Sequence, residues 1–110
     1  MSKINWIQIN SINEVPKSKD NNIVIFKHSP RCIISKIVFK RFELAFNRKL
    51  NIHNYIYVDV VRMKGLSNAI ADKYNVFHES PQLILINNDK VLYHTSHSDI
   101  NFSSLNDHIT

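Results

Sequence analysis

Cys32 and Ser35 stand three residues apart in the run Arg31-Cys32-Ile33-Ile34-Ser35, a CxxS arrangement. A thiolate is the side chain best suited to attack a disulfide sulfur, and the thiolate rather than the thiol reacts. The chain has 110 residues and one cysteine. It can form neither an intrachain disulfide nor a cysteine-based zinc finger. Any disulfide made by Cys32 must therefore be completed by a sulfur from another molecule. In a helix, Ser35 comes round to the side of Cys32 and can donate to its thiolate where a dithiol enzyme would carry a resolving cysteine. Arg31 adds a cation beside the sulfur. The blander alternative is that Cys32 is a small buried hydrophobe among isoleucines and that Ser35 caps its own helix.

Ser80-Pro81 is the second feature with chemical consequences. A proline lacks a ladder N–H and is tolerated only at the start of a strand or at a sheet edge. A cis Ser80-Pro81 bond would bend the chain and present the backbone of Ser80 to a bound substrate. Among the six histidines, His94 and His97 are three apart, but on a strand end and a loop, and there is no HExxH pattern. No metal site is expected. His28, His78, His94 and His97 are expected to bond loop backbones, with His28 or His97 close enough to Cys32 to tune it. Gly65 is the sole glycine, which excludes a glycine-rich phosphate loop. Asp59 and Glu79 are the carboxylates in the most apolar surroundings, and nothing pairs them.

The elements that must position these residues follow from periodicity. Trp6 to Ile9 reads as a short strand, and Ser11 with Glu14 as a capping box for a short helix limited by Pro16. Lys17 to Asn22 is a polar loop. Asn22 to Lys27 is a near-continuous apolar run, as expected of a strand covered on both faces. From Cys32 to about Asn47 the pattern is helical. Lys36, Lys40, Glu43 and Asn47 form the solvent stripe, and Ile34, Ile37, Val38, Phe42, Ala45 and Phe46 the expected buried side. Tyr55 to Val60 is a strand. Ser67 is placed as the cap of a helix over 68–74, with Asn75 as its left-handed end. Gln82 to Ile86, a turn at Asn87-Asn88-Asp89 and Lys90 to His94 make a hairpin. Ser98 or Asp99 is expected to start a last helix running to about His108.

This placement favours a reactive Cys32. A cysteine between a strand and the first turn of a helix meets unpaired N–H groups and the positive end of the helix dipole, which favour thiolate. Two covered strands joined by a helix predict a parallel crossover, and the later hairpin must be antiparallel. A mixed central sheet with helices on both faces follows, the α/β element order of a thioredoxin-like fold.

Composition sets the outer bounds. Hydrophobic residues make 44% and charged residues 21% of the chain, ordinary for a folded protein and unlike a disordered one. One domain over residues 1–110 is expected. No run approaches 18 apolar residues, and the N-terminus lacks a signal-peptide pattern, so no membrane association and a cytoplasmic location are expected. The formal charge of +5 comes from cations scattered among Asn and Ile rather than from one basic patch, so nucleic acid is not an expected partner.

With these residues in hand, the chain resembles the monothiol bacilliredoxin family, the YtxJ-type thioredoxin-like proteins, from about Trp6 to Asp107. The resemblance rests on Phe26-Lys27-His28-Ser29, on Cys32 with Ser35, on Tyr57-x-Asp59-Val60, on His78-Glu79-Ser80-Pro81-Gln82 and on His94-x-Ser96-His97-x-Asp99-Ile100. Family members typically read TCPxS, whereas Arg31 and Ile33 stand at the Thr and Pro positions here. The resemblance implies a thiol-disulfide oxidoreductase that removes bacillithiol from mixed disulfides on other proteins by transfer to Cys32. It implies no tightly bound cofactor. Bacillithiol or another low-molecular-weight thiol would be the co-substrate, and S-thiolated cytosolic proteins the partners. Charge suggests Arg31 or Lys27 as holders of the ligand's carboxylates, and Ser80 with Pro81 as a substrate-binding edge. A thioredoxin-fold binding module without exchange, and a single-cysteine redox sensor, stay open as alternatives.

Overall fold

The computed structural model describes residues 4–17 and 21–109. Residues 18–20 of the expected polar loop lie outside the described residues. The elements are β1 (Trp6–Ile7), β2 (Asn22–His28), α1 (Ile33–Leu44), β3 (Asn54–Asp59), α2 (Lys64–Tyr74), β4 (Gln82–Asn87) and β5 (Lys90–Ser96). Short 3-10 helices cover Ile12–Glu14, His97–Asp99 and Phe102–Asp107.

The strands form one sheet in the order β1-β3-β2-β4-β5. β1 and β2 flank β3 in parallel, while β4 runs antiparallel to β2 and β5 antiparallel to β4. Every residue of β2 is buried, as its unbroken apolar run requires for a central strand. Side chains alternate between two cores. Ile23 and Ile25 pack with Ile56, Val58, Ile84, Ile86 and, from α2, Leu66 and Ile70. Val24 and Phe26 pack with Leu83, Leu85 and, from α1, Val38 and Phe42, closed by Phe102 and Leu105. The two helices therefore lie on opposite faces of the sheet.

Several local expectations are corrected. β1 stops at Ile7 rather than Ile9. The capping box at Ser11 supports only a 3-10 turn: Ser11 Oγ accepts from Asn13 N at 3.2 Å, and Glu14 reaches back to Asn10 N at 3.1 Å. Helix α2 starts at Lys64, with Met63 at its cap position. Asp59 Oδ1 accepts from Val61 N and Arg62 N, a turn that lets the helix begin before Ser67. Ser67 is thus an interior, buried residue, not the cap. The last segment is 3-10, and Asn101 rather than Ser98 or Asp99 caps it, accepting from Ser103 N at 3.0 Å. Asn75 does end α2 in the left-handed region at φ 53°. Asn88 and Asp89, both at positive φ, form the two-residue turn of the hairpin.

The largest correction concerns α1. Val38 and Phe42 are buried, but Ile33, Ile34, Ile37 and Leu44 are 70%, 55%, 57% and 64% exposed, and Ala45 is exposed too. Of these, the apolar pattern assigns Ile34, Ile37 and Ala45 inward. Aromatic packing selects the face instead: Phe39 and Phe42 lie 5.1 and 5.2 Å from the Phe26 ring, and Trp6 stacks on Phe39 at 5.3 Å.

Candidate functional site

Cys32 is the N-cap of α1, with extended backbone at φ −95° and ψ 124°. Its N–H donates to Ser29 O and its carbonyl accepts from Lys36 N, both at 3.0 Å. The backbone around the sulfur is thus fixed from both sides, while the residue is exposed. The first N–H groups of a helix have no intrahelical acceptor and carry the positive end of its dipole, and α1 has no acidic residue in its first turn. Arg31 beside it is exposed and makes no hydrogen bond or ion pair among the described residues. The arrangement leaves the Cys32 side chain in solvent, next to fixed positive dipoles and the exposed Arg31 cation.

Ser35 is not positioned as the spacing suggested. It lies on the buried side of α1, fully enclosed, with Oγ 2.7 Å from His28 Nδ1 and accepting from Ser29 N at 3.0 Å. These partners, rather than the Cys32 sulfur, hold the hydroxyl. His28 points to the same face because β2 alternates, and its ring stacks on Phe39 at 4.6 Å. Burial lowers the pKa of His28, against the opposing charges of Asp59 and Glu43, so the ring is neutral at neutral pH. His28 is thus placed beside the first turn of α1, in contact with Ser35 Oγ.

The Ser80-Pro81 peptide is cis. Lys27 pairs with Gln82 in the antiparallel register, so the Ser80-Pro81 peptide leads into β4 at the same end of the sheet where β2 runs out toward Cys32. Ser80 Oγ is buried without a hydrogen-bond partner among the described residues. Val60, following β3, donates to His28 O at 3.0 Å. The ends of β2 and β3, the start of β4 and the end of β5 thus converge at one edge of the sheet. His97 belongs to that edge through its backbone, donating to Pro81 O at 2.9 Å. Its Nδ1 lies 3.5 Å from Glu79 Oε1, and Glu79 also accepts from Ser96 Oγ at 3.2 Å. The side chain of His97 is thereby assigned to Glu79, which is exposed rather than enclosed by apolar neighbours.

Lys27 cannot hold a ligand as charge suggested, because it is completely buried. Its ammonium donates to Ser67 O at 3.0 Å and lies 3.3 Å from His78 Nδ1. Ser67 Oγ lies 3.1 Å from the same nitrogen. Desolvation brings the pKa of Lys27 down from 10.5 to about 8, and burial together with the Lys27 charge lowers that of His78. His78 also borders a surface cavity of about 280 Å³ with Val60, Lys64, Ser67 and Asn68. His78 thus bonds side chains, not the loop backbone expected of it. The signal for this cluster was present in the sequence: Lys27 shares the period-2 face of Ile23 and Ile25 in a strand read as covered on both sides. Among the described residues no three His, Cys, Asp or Glu side chains converge as a metal site, and no helix is long and apolar enough to cross a membrane.

The family model for the monothiol bacilliredoxin BrxC matches residues 6–105. Among solved structures, a candidate oxidoreductase with a thioredoxin fold is 31% identical, with a TM-score of 0.79 over 94% of this chain and 92% of that one. The thioredoxin of Malassezia sympodialis (15% identity, TM-score 0.69, covering 99% and 90%) has the same fold. So does spinach chloroplast thioredoxin f (14%, 0.67, covering 94% and 89%). At such identities the latter two speak to the fold alone, and they establish it as thioredoxin-like.

Proposed function

Because the chain belongs to the monothiol bacilliredoxin family, whose members are thioredoxin-fold thiol oxidoreductases, we propose that it removes bacillithiol from mixed disulfides on cytoplasmic proteins. The observation that carries this reading is the exposed Cys32 at the N-cap of α1, on a chain with no second sulfhydryl. The Cys32 thiolate attacks the bacillithiol sulfur of the target's mixed disulfide. That S–S bond breaks, the target cysteine leaves as a thiolate and takes a proton from water, and Cys32 is left disulfide-bonded to bacillithiol. A second bacillithiol, as thiolate, attacks that sulfur, releasing bacillithiol disulfide and regenerating Cys32. Overall one mixed disulfide and one bacillithiol give one target thiol and one bacillithiol disulfide, so the number of disulfide bonds is unchanged and no resolving cysteine is needed.

Within this reading Arg31 is the exposed cation available to the ligand's carboxylates, and the backbone at Ser80-Pro81 is the edge along which the substrate lies. Ser35 is a positioning residue that ties the start of α1 to His28. The test is intact-mass analysis of wild type and Cys32→Ser, each mixed with a bacillithiolated protein. Wild type should gain the mass of bacillithiol as the target loses it, and the serine variant should do neither. Absence of transfer by wild type would overturn the reading. Unchanged transfer kinetics for Arg31→Ala would remove Arg31 from it.

A further inference from the structure

Helix α1 has two apolar faces, and only one meets the sheet. Val38, Phe39 and Phe42 face inward. Ile33, Ile37 and Leu44, at i, i+4 and i+11, run along the outside, with Ile34 at their flank, all more than half exposed. Lys40, at i+7, completes the stripe, and Lys36 borders it; both are exposed. At 1.5 Å per residue the stripe is about 16 Å long, the reach of roughly five residues of extended chain. It starts beside Cys32. Ile33, Ile34 and Ile37 cluster at its start, with Leu44 beyond Lys40, and clustered exposed apolar side chains mark interaction sites where scattered ones do not.

The fully exposed charges on this face are all of one sign. Arg31, Lys36 and Lys40 are exposed, and Arg41 is engaged with Ser98 O and Ile100 O at 3.0 Å. The one carboxylate of α1, Glu43, is half-buried beside Lys36 and Lys40, and it is engaged, accepting from Trp6 Nε1 at 2.9 Å. A second copy laid on this face would bring Lys36 and Lys40 against the same cations, which is not self-complementary. A partner with acidic groups flanking apolar ones is.

Resting on the exchange function above, we propose that the outer face of α1 docks an acidic, apolar segment next to the thiolated cysteine of the protein substrate. Ile33, Ile37 and Leu44 take the apolar side chains, and Lys36 and Lys40 the carboxylates. Rim charges of this type act chiefly on encounter rate and on the choice of partner, and salt weakens them.

The test uses two peptides, each with one cysteine in mixed disulfide with bacillithiol. One carries Asp, Glu and Leu beside the cysteine, and the other has Lys in place of the acidic residues. Transfer to wild type should be about tenfold faster from the acidic peptide at low salt. The advantage should vanish in the Lys36→Glu, Lys40→Glu double variant and at roughly 0.5 M salt, while transfer from bacillithiolated free cysteine stays unchanged. Ile37→Ser, at an exposed position, should lower transfer from the acidic peptide without unfolding the protein. Binding of the acidic peptide to Cys32→Ser, read by fluorescence anisotropy, gives a measure independent of exchange. Equal rates from both peptides would overturn the docking face and leave the exchange function standing. No transfer, with salt-sensitive binding to Cys32→Ser retained, would overturn the function and leave the face; loss of both would overturn both. Tighter binding to phosphatidylglycerol vesicles than to the peptide, or a solution dimer that Ile37→Ser dissolves, would reassign the face to a membrane or to a second copy.

Discussion

Placing an ammonium in the interior is unfavourable unless it is solvated by protein, and among the described residues Lys27 has Ser67 O and His78 Nδ1 as its partners and no carboxylate. That is why its pKa falls from 10.5 to about 8. Between those values the unfolded chain holds a proton that the folded protein has released, so stability rises with pH through that interval. Tyr74, pushed up to about 12, and the raised Tyr55 and Tyr57 act oppositely, since their unfolded forms ionise first above pH 10. A comparison with Lys27→Met cancels the tyrosines, which both proteins share. Urea unfolding should show wild type gaining stability relative to Lys27→Met from pH 8 to pH 10. Parallel curves throughout would mean that Lys27 is not an enclosed cation. Ser35 makes a second case. Ser35→Ala leaves the Ser29 N–H and His28 Nδ1 without their buried partner and should cost about 1–3 kcal/mol. A hydroxyl serving the thiolate alone would cost transfer rate and leave the unfolding midpoint in place.

Helix ends are where single side chains decide the stability of whole elements. Ile33 is the first residue of α1 and largely exposed, and its N–H has no acceptor within the helix. Proline fits this position because its fixed φ suits the first turn and no hydrogen bond is lost. Ile33→Pro should therefore raise stability by about 0.4–1 kcal/mol, largely by restricting the unfolded chain, visible as an upward shift in melting temperature. A downward shift would show that Ile33 makes contacts the exposed placement does not include. At the other helix, Asn75 at φ 53° sits where side chains other than Asn and Gly are strained. Asn75→Ala should cost about 1 kcal/mol and Asn75→Gly should not; equal effects would assign the loss to the asparagine's side chain rather than to its backbone. These elements also show what a sequence can and cannot reveal. Element order, the parallel crossover and the placement of Cys32 were legible, because the near-continuous apolar runs of β2 and β4 and the turn at Asn88-Asp89 admit few arrangements. The inward face of α1 was not, because isoleucine and phenylalanine score alike for burial. The choice between them is made by ring packing on Trp6 and Phe26, residues distant in sequence. Ser67 misled for a related reason: its cap-like character is used on His78, a partner eleven positions later.

Across the whole molecule, the end of β2 fastens both helices to the sheet. Lys27 and His28 are consecutive, so the pleat sends them to opposite faces. His28 reaches Ser35 in the first turn of α1, and Lys27 reaches Ser67 in the first turn of α2 and His78 in the segment leading to Ser80-Pro81. The Cys32 end of α1 and the Ser80-Pro81 edge are therefore held by neighbouring residues of one buried strand, through separate hydrogen-bonded groups in separate cores. Loosening one should not loosen the other, because openings of a folded protein follow cooperative units rather than distance alone. Amide hydrogen exchange can separate the two. In Lys27→Met, exchange should speed up across residues 64–67 and 76–81, while 32–38 keep their wild-type protection. In His28→Phe, the ordering should reverse, with the first turn of α1 exposed and α2 unchanged. Faster exchange at both helices in either variant would show that the sheet end is one cooperative unit, and that the thiol and the proline edge cannot be tuned apart. If the reversal is seen, transfer rates should follow the same division. His28→Phe would slow the chemical step at Cys32, and Lys27→Met would raise the substrate concentration needed for half-maximal transfer.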